Sequence, residues 1–357
     1  MGEKAEGTST ASPKTEESSV PGILPASHWQ KTKLPDVPDD DADSTLSSTL
    51  WSETTSLASS IRRYRVLHGR TYHGEIGDAE SWEPNDDKHA ESMDLFHIMN
   101  TLVLGDKLFL APVNNPKKVL DIGTGTGAWA IDFGDLYPNA EVIGTDITPI
   151  QPTWVPPNVR FEIEDCNQTW AREDNSFDFI HARTLVGNIL DWGKFFREAY
   201  RCLKPGGWLE NQETEMCWKA VNAEIPETSA MGQWHKVWHA GGEKSGRTFR
   251  LVEDNLQEKL MKEAGFVDIQ VKDVLCPYGP WPEDPREKEA GIVTKAAFEN
   301  DMDGYVLHIW HSVLGWTHEE VQVYLAHLRR EIRDPRYKLY FTRRIVIGRK
   351  PLQQALS

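Results

Sequence analysis

The stretch Val119-Leu-Asp-Ile-Gly-Thr-Gly-Thr-Gly-Ala128 decides the fold of this chain. It predicts a short β-strand that runs into a turn in which Gly123, Gly125 and Gly127 alternate with threonines. Glycine lacks a Cβ atom, so such a turn can adopt unusual backbone angles and lie close against a ligand. A helix is predicted to follow from Ala128 to about Leu136, and its N-terminal N–H groups would point at the same place. The pattern therefore predicts a nucleotide-like cofactor.

Two cofactor classes use a turn of this kind. Gly123-Thr-Gly-Thr-Gly-Ala128 formally satisfies the dinucleotide pattern G-x-G-x-x-G/A, and Asp146 follows near the expected position of a ribose-binding carboxylate. The pattern G-x-G-x-G with Asp121 two positions ahead instead resembles the class I S-adenosylmethionine-dependent methyltransferases. That cofactor carries an ammonium and a sulfonium but no pyrophosphate, so carboxylates near the turn would be useful.

Four further segments resemble the same family in the same order. They are a second strand at 142–146, a third at 159–166, a fourth at 176–181, and a loop and strand start at 203–210. Five features in register are more specific than one glycine turn, and they favour a methyltransferase over a dehydrogenase. Because strands and helices alternate over this region, right-handed crossovers between parallel strands are expected. The predicted fold is α/β: a Rossmann-like, seven-stranded, mostly parallel sheet with helices on both faces and a helical cap.

The remaining chain divides into three parts. Residues 1–58 are rich in Ser, Thr, Pro, Asp and Glu and predict a disordered acidic tail, with a partner-docking segment around 23–29 as the alternative. Residues 59–112 predict an N-terminal helical cap with helices at 60–69 and 89–103. Residues 113–357 form the methyltransferase domain. In its C-terminal half, 216–246 and 251–264 are predicted helical, 266–274 and 341–348 are predicted strands, and a helical insertion at about 288–332 would lie over the cofactor cleft.

Composition excludes some classes of function. A formal net charge of −16 argues against a protein that binds nucleic acid directly. The four cysteines are widely spaced without a C-x-x-C pair, as expected in a reducing compartment. We find neither a signal-peptide pattern nor an apolar run of membrane-spanning length, so a soluble intracellular protein is expected.

The flanks of the glycine strand narrow the resemblance. The segments 70–73, 83–86 and 93–97, and above all Gln151-Pro-Thr-Trp-Val-Pro-Pro-Asn158, are similar to the LaeA-like fungal methyltransferases, and the similarity extends over about residues 60–351. This resemblance implies a regulator of secondary metabolism and development that acts in the nucleus and cytoplasm. Its implied partners are a velvet-type regulator or a second methyltransferase-like subunit. The methyl acceptor is not implied, since fold does not define function.

The methyltransferase resemblance also implies which residues bind S-adenosylmethionine. Asp121 would anchor the ammonium, Asp146 the ribose, and Asp165 with the backbone of Cys166 the adenine. Tyr72 and His97, together with His73, would close over the methionine moiety. The full expected set is Tyr72, His97, Asp121, Gly123, Thr124, Gly125, Gly127, Asp146, Ile147, Asp165, Cys166 and His181.

No catalytic residue is assigned, but His181, Arg183 and Glu213 are candidates. Methyl transfer depends mainly on alignment, and a base is needed only if the acceptor must lose a proton. His181 follows the fourth strand and could instead be a buried histidine with satisfied hydrogen bonds. Glu213 and Glu215 would more commonly be exposed and solvated. The loops expected after the fourth strand for protein arginine methylation, or for methylation of nucleic-acid amino groups, are missing.

No metal site is expected. His235 and His239 have helical spacing, but position 236 is lysine rather than the glutamate of H-E-x-x-H. Three functions therefore remain open: methylation of a protein such as a histone or a partner, methylation of a small metabolite, and a non-catalytic subunit that binds the cofactor.

Overall fold

The computed structural model describes residues 22–34, 64–74 and 79–352. Its N-terminal elements are short and lie outside the central sheet. They are helix α1 (Ala26–Lys31), strands β1 (Arg65–Leu67) and β2 (Arg70–Tyr72), and the longer helix α2 (Asp87–Val103). The predicted helix at 89–103 is confirmed by α2, which begins at a cap where the Asp86 carboxylate accepts the backbone N–H of His89.

A mixed sheet follows. Its main strands are β3 (Lys118–Ile122), β4 (Glu141–Asp146), β5 (Val159–Ile163), β6 (Phe177–Arg183), β7 (Leu203–Thr214), β9 (Val267–Pro277) and β10 (Leu339–Arg349). The order is β5-β4-β3-β6-β7-β10-β9; the first five strands are parallel, and β10 is antiparallel to both neighbours. The predicted seven-stranded, mostly parallel sheet is confirmed. A two-residue strand, β8 (Lys219–Ala220), pairs with the start of β10.

Helices cover both faces of the sheet, so its central strands are apolar on both sides. On one face, Val119 and Phe179 pack with Trp129 and Phe133 of helix α3 (Ala128–Leu136). On the other, Leu120 joins the cluster that includes helix α4 (Trp192–Cys202). The chain runs outward from β3 to β5 and then crosses back to β6 on the other side of β3. A cleft is expected outside the carboxyl ends of β3 and β6, where the strand order reverses.

The described part of the C-terminal half adds six helices. Helix α6 (Leu256–Ala264) packs beside α4. The others are α5 (Ala230–Ser245), α7 (Pro285–Asn300), α8 (Met302–Leu307), a π-helix (His308–Val313) and α9 (His318–Ile332), and α5, α7 and α8 contribute residues to the cavity at the cleft. The helical insertion predicted at about 288–332 is thus present as α7 to α9. Between 216 and 229 the prediction of helix was wrong, because that segment contains β8 and irregular loops before Ser229 caps α5. In the described ranges, none of the helices has the length and apolar character needed to cross a membrane.

The helix predicted at 60–69 was also wrong where the structure describes it. β1 and β2 form an antiparallel hairpin, and His68 and Gly69 at its turn both have positive φ angles, 48° and 82°. Two consecutive residues with positive φ are typical of the tight turns whose twist suits a hairpin. In this hairpin Arg70 pairs with Asp86, the N-cap residue of α2, and with Asp301, and such tertiary contacts override the helical periodicity.

Part of the expected disordered tail is folded. The ring of Trp29 in α1 is 2% exposed and lies edge-on to Tyr324 of α9, with 4.9 Å between ring centroids. His327 lies 3.0 Å from the backbone oxygen of Trp29, and the N–H of Leu24 donates to Gln233 of α5 at 2.8 Å. The alternative interpretation of this segment, docking to a partner, is therefore not what the structure shows: the segment docks on its own chain, where burial of Trp29 contributes to its stability. Residues 1–21 and 35–58 lie outside the described ranges.

Candidate active site

The glycine turn lies at the carboxyl end of β3. Gly123 and Gly125 have φ angles of 65° and 57°, which L-residues with a side chain rarely adopt. A Cβ atom on Gly125 would overlap Cε of Met93 in α2, and one on Gly123 would overlap the side chain of Leu185. Both glycines line a cavity that opens at this edge of the sheet. The turn therefore lies at the cavity wall, packed against Met93 and Leu185, in a backbone conformation that favours glycine, as the sequence predicts.

Gly127 has a different role from its two predecessors. It is not part of the cavity wall but is the N-cap of α3, with a φ of 84°. A Cβ atom there would overlap the ring of Phe161 in β5. The expectation of a cofactor contact at Gly127 is thus corrected: this glycine allows α3 to pack closely against the sheet.

The cavity is large enough for an organic ligand. Its volume of about 260 Å³ far exceeds the roughly 15 Å³ that one water molecule needs. Eight of the twelve expected cofactor residues lie in its wall: Gly123, Thr124, Gly125, Asp146, Ile147, Asp165 and Cys166 near the ends of β3, β4 and β5, and His97 from α2. The structure brings these residues to one place from four separate segments of the chain.

Asp146 ends β4 and is held from both sides. Its carboxylate accepts the backbone N–H of Gly125 and of Thr148, each at 2.9 Å. Burial raises the pKa of Asp146 to about 6, although these two N–H groups oppose the shift. Gln151, from the proline-rich block singled out in the sequence, donates to the backbone oxygen of Gly125 at 2.6 Å. The block therefore holds the glycine turn against the ribose-binding position.

Asp165 and Cys166 follow β5 at the far end of the cavity. One carboxylate oxygen of Asp165 accepts the backbone N–H of Asn167 at 2.9 Å, which fixes the turn. Ile147 lies in the cavity wall beside them. Trp170, by contrast, is a core residue: its ring packs edge-on to Phe195 at 5.4 Å. An apolar wall with one oriented carboxylate suits a flat heteroaromatic amine.

His97 and Arg183 contact each other in the wall of the cavity. Nε2 of His97 lies 2.9 Å from the Asp132 carboxylate, and its Nδ1 lies 3.2 Å from the guanidinium of Arg183. Both ring nitrogens thus have partners. Burial lowers the pKa of Arg183 to about 10, and repulsion from Arg343 adds to the shift. These residues stay candidates for contact with ligand, as the sequence predicts for His97 and Arg183.

His181 and Asp121 lie behind the turn. Nδ1 of His181 is 2.7 Å from Asp121, whose second oxygen accepts the hydroxyl of Thr124 at 2.6 Å. The His181 ring is fully buried and stacks on Trp129 with 3.9 Å between centroids. Neither residue is in the cavity wall. This pair supports the turn from within the core, and burial lowers the pKa of His181, which favours the neutral ring. The anchoring of the ammonium by Asp121 through water or backbone, and the cofactor contact of His181, stay predictions.

Tyr72 and His73 are buried at the end of the hairpin. Tyr72 is 1% exposed and is not in the cavity wall, so the expected contact with the methionine moiety is corrected. Its ring lies 5.8 Å from that of His308 in the π-helix. His73 lies 3.3 Å from the hydroxyl of Thr148, next to Asp146. The two residues pack the hairpin against the cavity rim instead.

Glu213 is wholly buried, contrary to the expected solvated position. Its carboxylate accepts the N–H groups of Leu185 and Val186 and the amide of Asn211, at 2.9 to 3.1 Å. Burial raises its pKa to about 7 although these hydrogen bonds oppose the shift. Because it is not in the cavity wall, Glu213 orients the loop after β6 and is not placed to act as a base. Glu215 does line the cavity, but it pairs with Lys219.

An aromatic chamber forms the other end of the cavity, and our sequence reasoning missed it. Its walls come from the loop after β7, from α5, from α7 and α8, and from β10: Trp218, Trp234, Trp238, Phe298, Tyr305 and Phe341. We call these residues the aromatic chamber. The tryptophan-rich composition of the 216–246 segment was the available signal. This composition alone did not predict the chamber, because its residues are distant in sequence and meet only when α7 and α8 fold over the sheet.

A buried ionic cluster connects the hairpin and α8 to α2. Arg70 of the hairpin donates to both Asp86 and Asp301, with the closest contacts at 2.6 Å, and Asp301 caps α8. His89 of α2 lies 2.8 Å from Asp301. Burial alone would lower the pKa of His89, but the hydrogen bond to Asp301 raises it to about 9. The cluster joins hairpin, α2 and α8 into one lid.

Comparison with known proteins agrees with this geometry. A family model described as a methyltransferase domain matches residues 95–271. The chain is 39% identical, over 84% of its length, to the methyltransferase pytC of Aspergillus terreus, and it covers 92% of that protein. It is 31% identical to the secondary metabolism regulator LAE1 of Cochliobolus heterostrophus, over 80% of this chain and 94% of that one. The chain belongs to the LaeA-like methyltransferases.

Another LaeA-like relative has a more specific name. The protein-methionine methyltransferase laeA of Emericella nidulans is 28% identical over 82% of this chain and 78% of its own length. These similarities extend beyond the segment that the family model matches, since they cover about four fifths of the chain.

The residues of the site fit S-adenosylmethionine, the cofactor of this family. The test is the turn itself: Gly123 and Gly125 leave no room for side chains between the backbone and the cavity, and Asp146 is held with its carboxylate beside them. Asp146 would hold the ribose, Asp165 and Ile147 the adenine. When bound, the cofactor supplies an electrophilic methyl group. The protein's own residues position the reactants and exclude water, which the closed lid favours.

Proposed function

We propose that this LaeA-like methyltransferase regulates fungal secondary metabolism by methyl transfer within a protein complex. The observation that carries the proposal is the extent of the similarity: the chain is 31% identical to LAE1 over 80% of its own length and 94% of that regulator. The acceptor in this proposal is a protein, either a histone or a partner, as the name of the Emericella nidulans relative suggests for that protein.

A velvet-type regulator or a second methyltransferase-like subunit is the proposed partner, in the nucleus and cytoplasm. Support comes from Trp154, in the loop between β4 and β5, whose side chain is 91% exposed. Exposed tryptophans at the surface commonly become central contacts in protein interfaces. Affinity purification from a fungal host with wild-type protein and Trp154→Ala tests the proposal. We expect a velvet-type protein to co-purify with the wild type and to be depleted with the variant. If no such protein co-purifies with the wild type, the proposal is contradicted.

Methylation of a small metabolite is the second candidate function. The aromatic chamber favours this function, because its six aromatic side chains line the same cavity as the residues expected to bind the cofactor. An enclosed apolar chamber of this kind suits a compact organic acceptor better than an extended polypeptide.

Transfer of a radioactive methyl group discriminates between these functions. Purified protein is incubated with tritiated S-adenosylmethionine and with either the protein or the small-molecule fraction of a fungal extract. Incorporation into protein supports the first candidate, and incorporation into organic-extractable material supports the second. Incorporation into neither fraction, from a protein that binds the cofactor, would leave the third possibility, a non-catalytic subunit. Gly125→Asp serves as the inactive control in each reaction.

A further inference from the structure

Two arginines lie in the wall of the cavity without a carboxylate partner among the described residues. Arg183 ends β6, and Arg343 lies in β10; both line the cavity, and Arg343 is 2% exposed. The guanidinium of Arg343 contacts the hydroxyl of Thr184 at 3.4 Å and the thiol of Cys276, and its Nε has no hydrogen-bond partner in the described ranges. An unpaired buried charge is costly, so a partner is expected.

Other half-buried arginines of this chain are paired. Arg70 contacts Asp86 and Asp301, and Arg172 contacts Glu162 and Glu164. Arg183 and Arg343 depart from this pattern and, in addition, repel each other. The two positive groups therefore make one end of the cavity strongly attractive to an anion.

The acids near the two arginines are engaged elsewhere. Asp121 accepts from His181 and Thr124, and Asp132 lies against His97. Glu213, the acid that acts electrostatically on Arg343, accepts two backbone N–H groups and an amide. Cys276 offers Arg343 only a weak thiol contact. Since each of these carboxylates already has its donors, a ligand is the remaining source of negative charge.

The position of Arg343 indicates that the anionic ligand is the methyl acceptor and not the cofactor. β10 is separated from the glycine strand β3 by β6 and β7, which corresponds to roughly 14 Å at the spacing of neighbouring strands. Phe341, two residues before Arg343 on the same strand, belongs to the aromatic chamber. The positive charge of Arg343 thus lies beside the aromatic chamber and away from Asp146 and Asp165.

We propose that Arg343, with Arg183, forms an anion subsite that receives a carboxylate of the methyl acceptor, while the aromatic chamber holds its apolar body. The acceptor is accordingly an aromatic or polyunsaturated carboxylic acid. Paired arginines bind a carboxylate through several parallel N–H donors, which the amide of the same acid cannot match. This inference rests on the second candidate function, and it concerns recognition of the acceptor rather than transfer.

Calorimetry on the protein loaded with S-adenosylhomocysteine tests the proposal. The probes are indole-3-acetate and its neutral counterpart indole-3-acetamide. We expect the wild type to prefer the acetate by about tenfold or more, as for charge-assisted hydrogen bonds. Arg343→Met should abolish the preference, and Arg183→Met should reduce it. Arg344→Met is the matched control, because Arg344 pairs with Asp273 outside the cavity, and it should keep the preference.

Three results would overturn the proposal. The first is equal affinity for the two probes, or no binding of either, in the loaded wild type. The second is an unchanged preference in folded Arg343→Met or, should that variant not fold, in Arg183→Met. The third identifies the cofactor as the source of the anion: Arg343→Met would weaken binding of S-adenosylhomocysteine but not of 5′-methylthioadenosine, which lacks the amino-acid carboxylate. Failure of S-adenosylhomocysteine to bind at all would instead contradict the methyltransferase function.

Discussion

Nδ1 of His181 lies 2.7 Å from Oδ1 of Asp121, and this buried pair joins the fourth parallel strand to the glycine strand. The resemblance to class I methyltransferases predicts that both residues lie at the cofactor site. In this protein, Thr124 connects it to the turn through a hydrogen bond to Asp121. The pair thus acts on the cofactor site by positioning the turn.

Loss of the His181 ring is expected to destabilise the fold. His181→Ala removes a ring stacked on Trp129 and leaves Asp121 without its donor, so the free energy of unfolding should fall by about 2–4 kcal/mol. His181→Asn keeps a donor and should retain wild-type affinity for S-adenosylhomocysteine. Urea denaturation and calorimetry measure the two effects. A stable alanine variant that binds the ligand but has lost turnover would instead support a base at this position.

A side chain at position 125 should weaken cofactor binding. Gly125→Ala places a methyl group in a left-handed backbone conformation and against Met93, and we expect the affinity for S-adenosylhomocysteine to fall by about tenfold or more. The control is Gly246→Ala, where φ is also positive but nothing lies within 4 Å of the added atom. That variant should lose only stability. Unchanged affinity in a folded Gly125→Ala variant would contradict the assignment of the turn.

The charge of Asp146 should set the pH dependence of cofactor binding. Its raised pKa, about 6, means that the carboxylate gains a proton as the pH falls through that value. The ionised form is the stronger acceptor for ribose hydroxyls, so affinity should decrease below about pH 6. Asp146→Asn should bind about 10–100-fold more weakly and show a flatter pH profile. A wild-type profile that is flat between pH 5 and 8 would argue against this role.

Disruption of the lid cluster should cost more than loss of a surface ion pair. Asp301→Ala leaves Arg70 and His89 buried without their shared partner, and we expect a loss of about 3–5 kcal/mol of unfolding free energy. The control, Asp254→Ala, removes an exposed pair with Arg250 and should cost at most about 1 kcal/mol. Equal losses in the two variants would show that the cluster does not hold the lid.

The same cluster predicts a loss of stability in alkali. The pKa of His89 is raised from its ordinary value to about 9, so the charged form stabilises the folded state fully below about pH 6.5. This contribution is lost as the pH rises through 9. Denaturation of wild type and His89→Gln between pH 6 and 10 measures it, and the difference between the two should shrink over that range. A constant difference would contradict the assignment.

Much of the part of the site that is expected to bind the cofactor could be predicted from the sequence. The glycine turn, Asp146 and Asp165 each follow a parallel strand directly, and the carboxyl ends of parallel strands meet at one edge of a sheet. Strand order and the local residue type were therefore enough to bring them together. The strand–turn–helix pattern also placed α3, and the helical insertion expected at about 288–332 is present as α7 to α9.

The rest was decided only by tertiary structure. His181 and Glu213 also end or occupy strands, yet their side chains point into the core, and the direction of a side chain depends on register and packing that no local pattern records. The hairpin at 65–72 replaces a predicted helix, and in it Arg70 pairs with the partly exposed Asp86 and the buried Asp301. The aromatic chamber and Arg343 come together from segments more than a hundred residues apart. Local sequence determines which elements form and which cofactor they suit, whereas recognition of the acceptor depends on long-range burial.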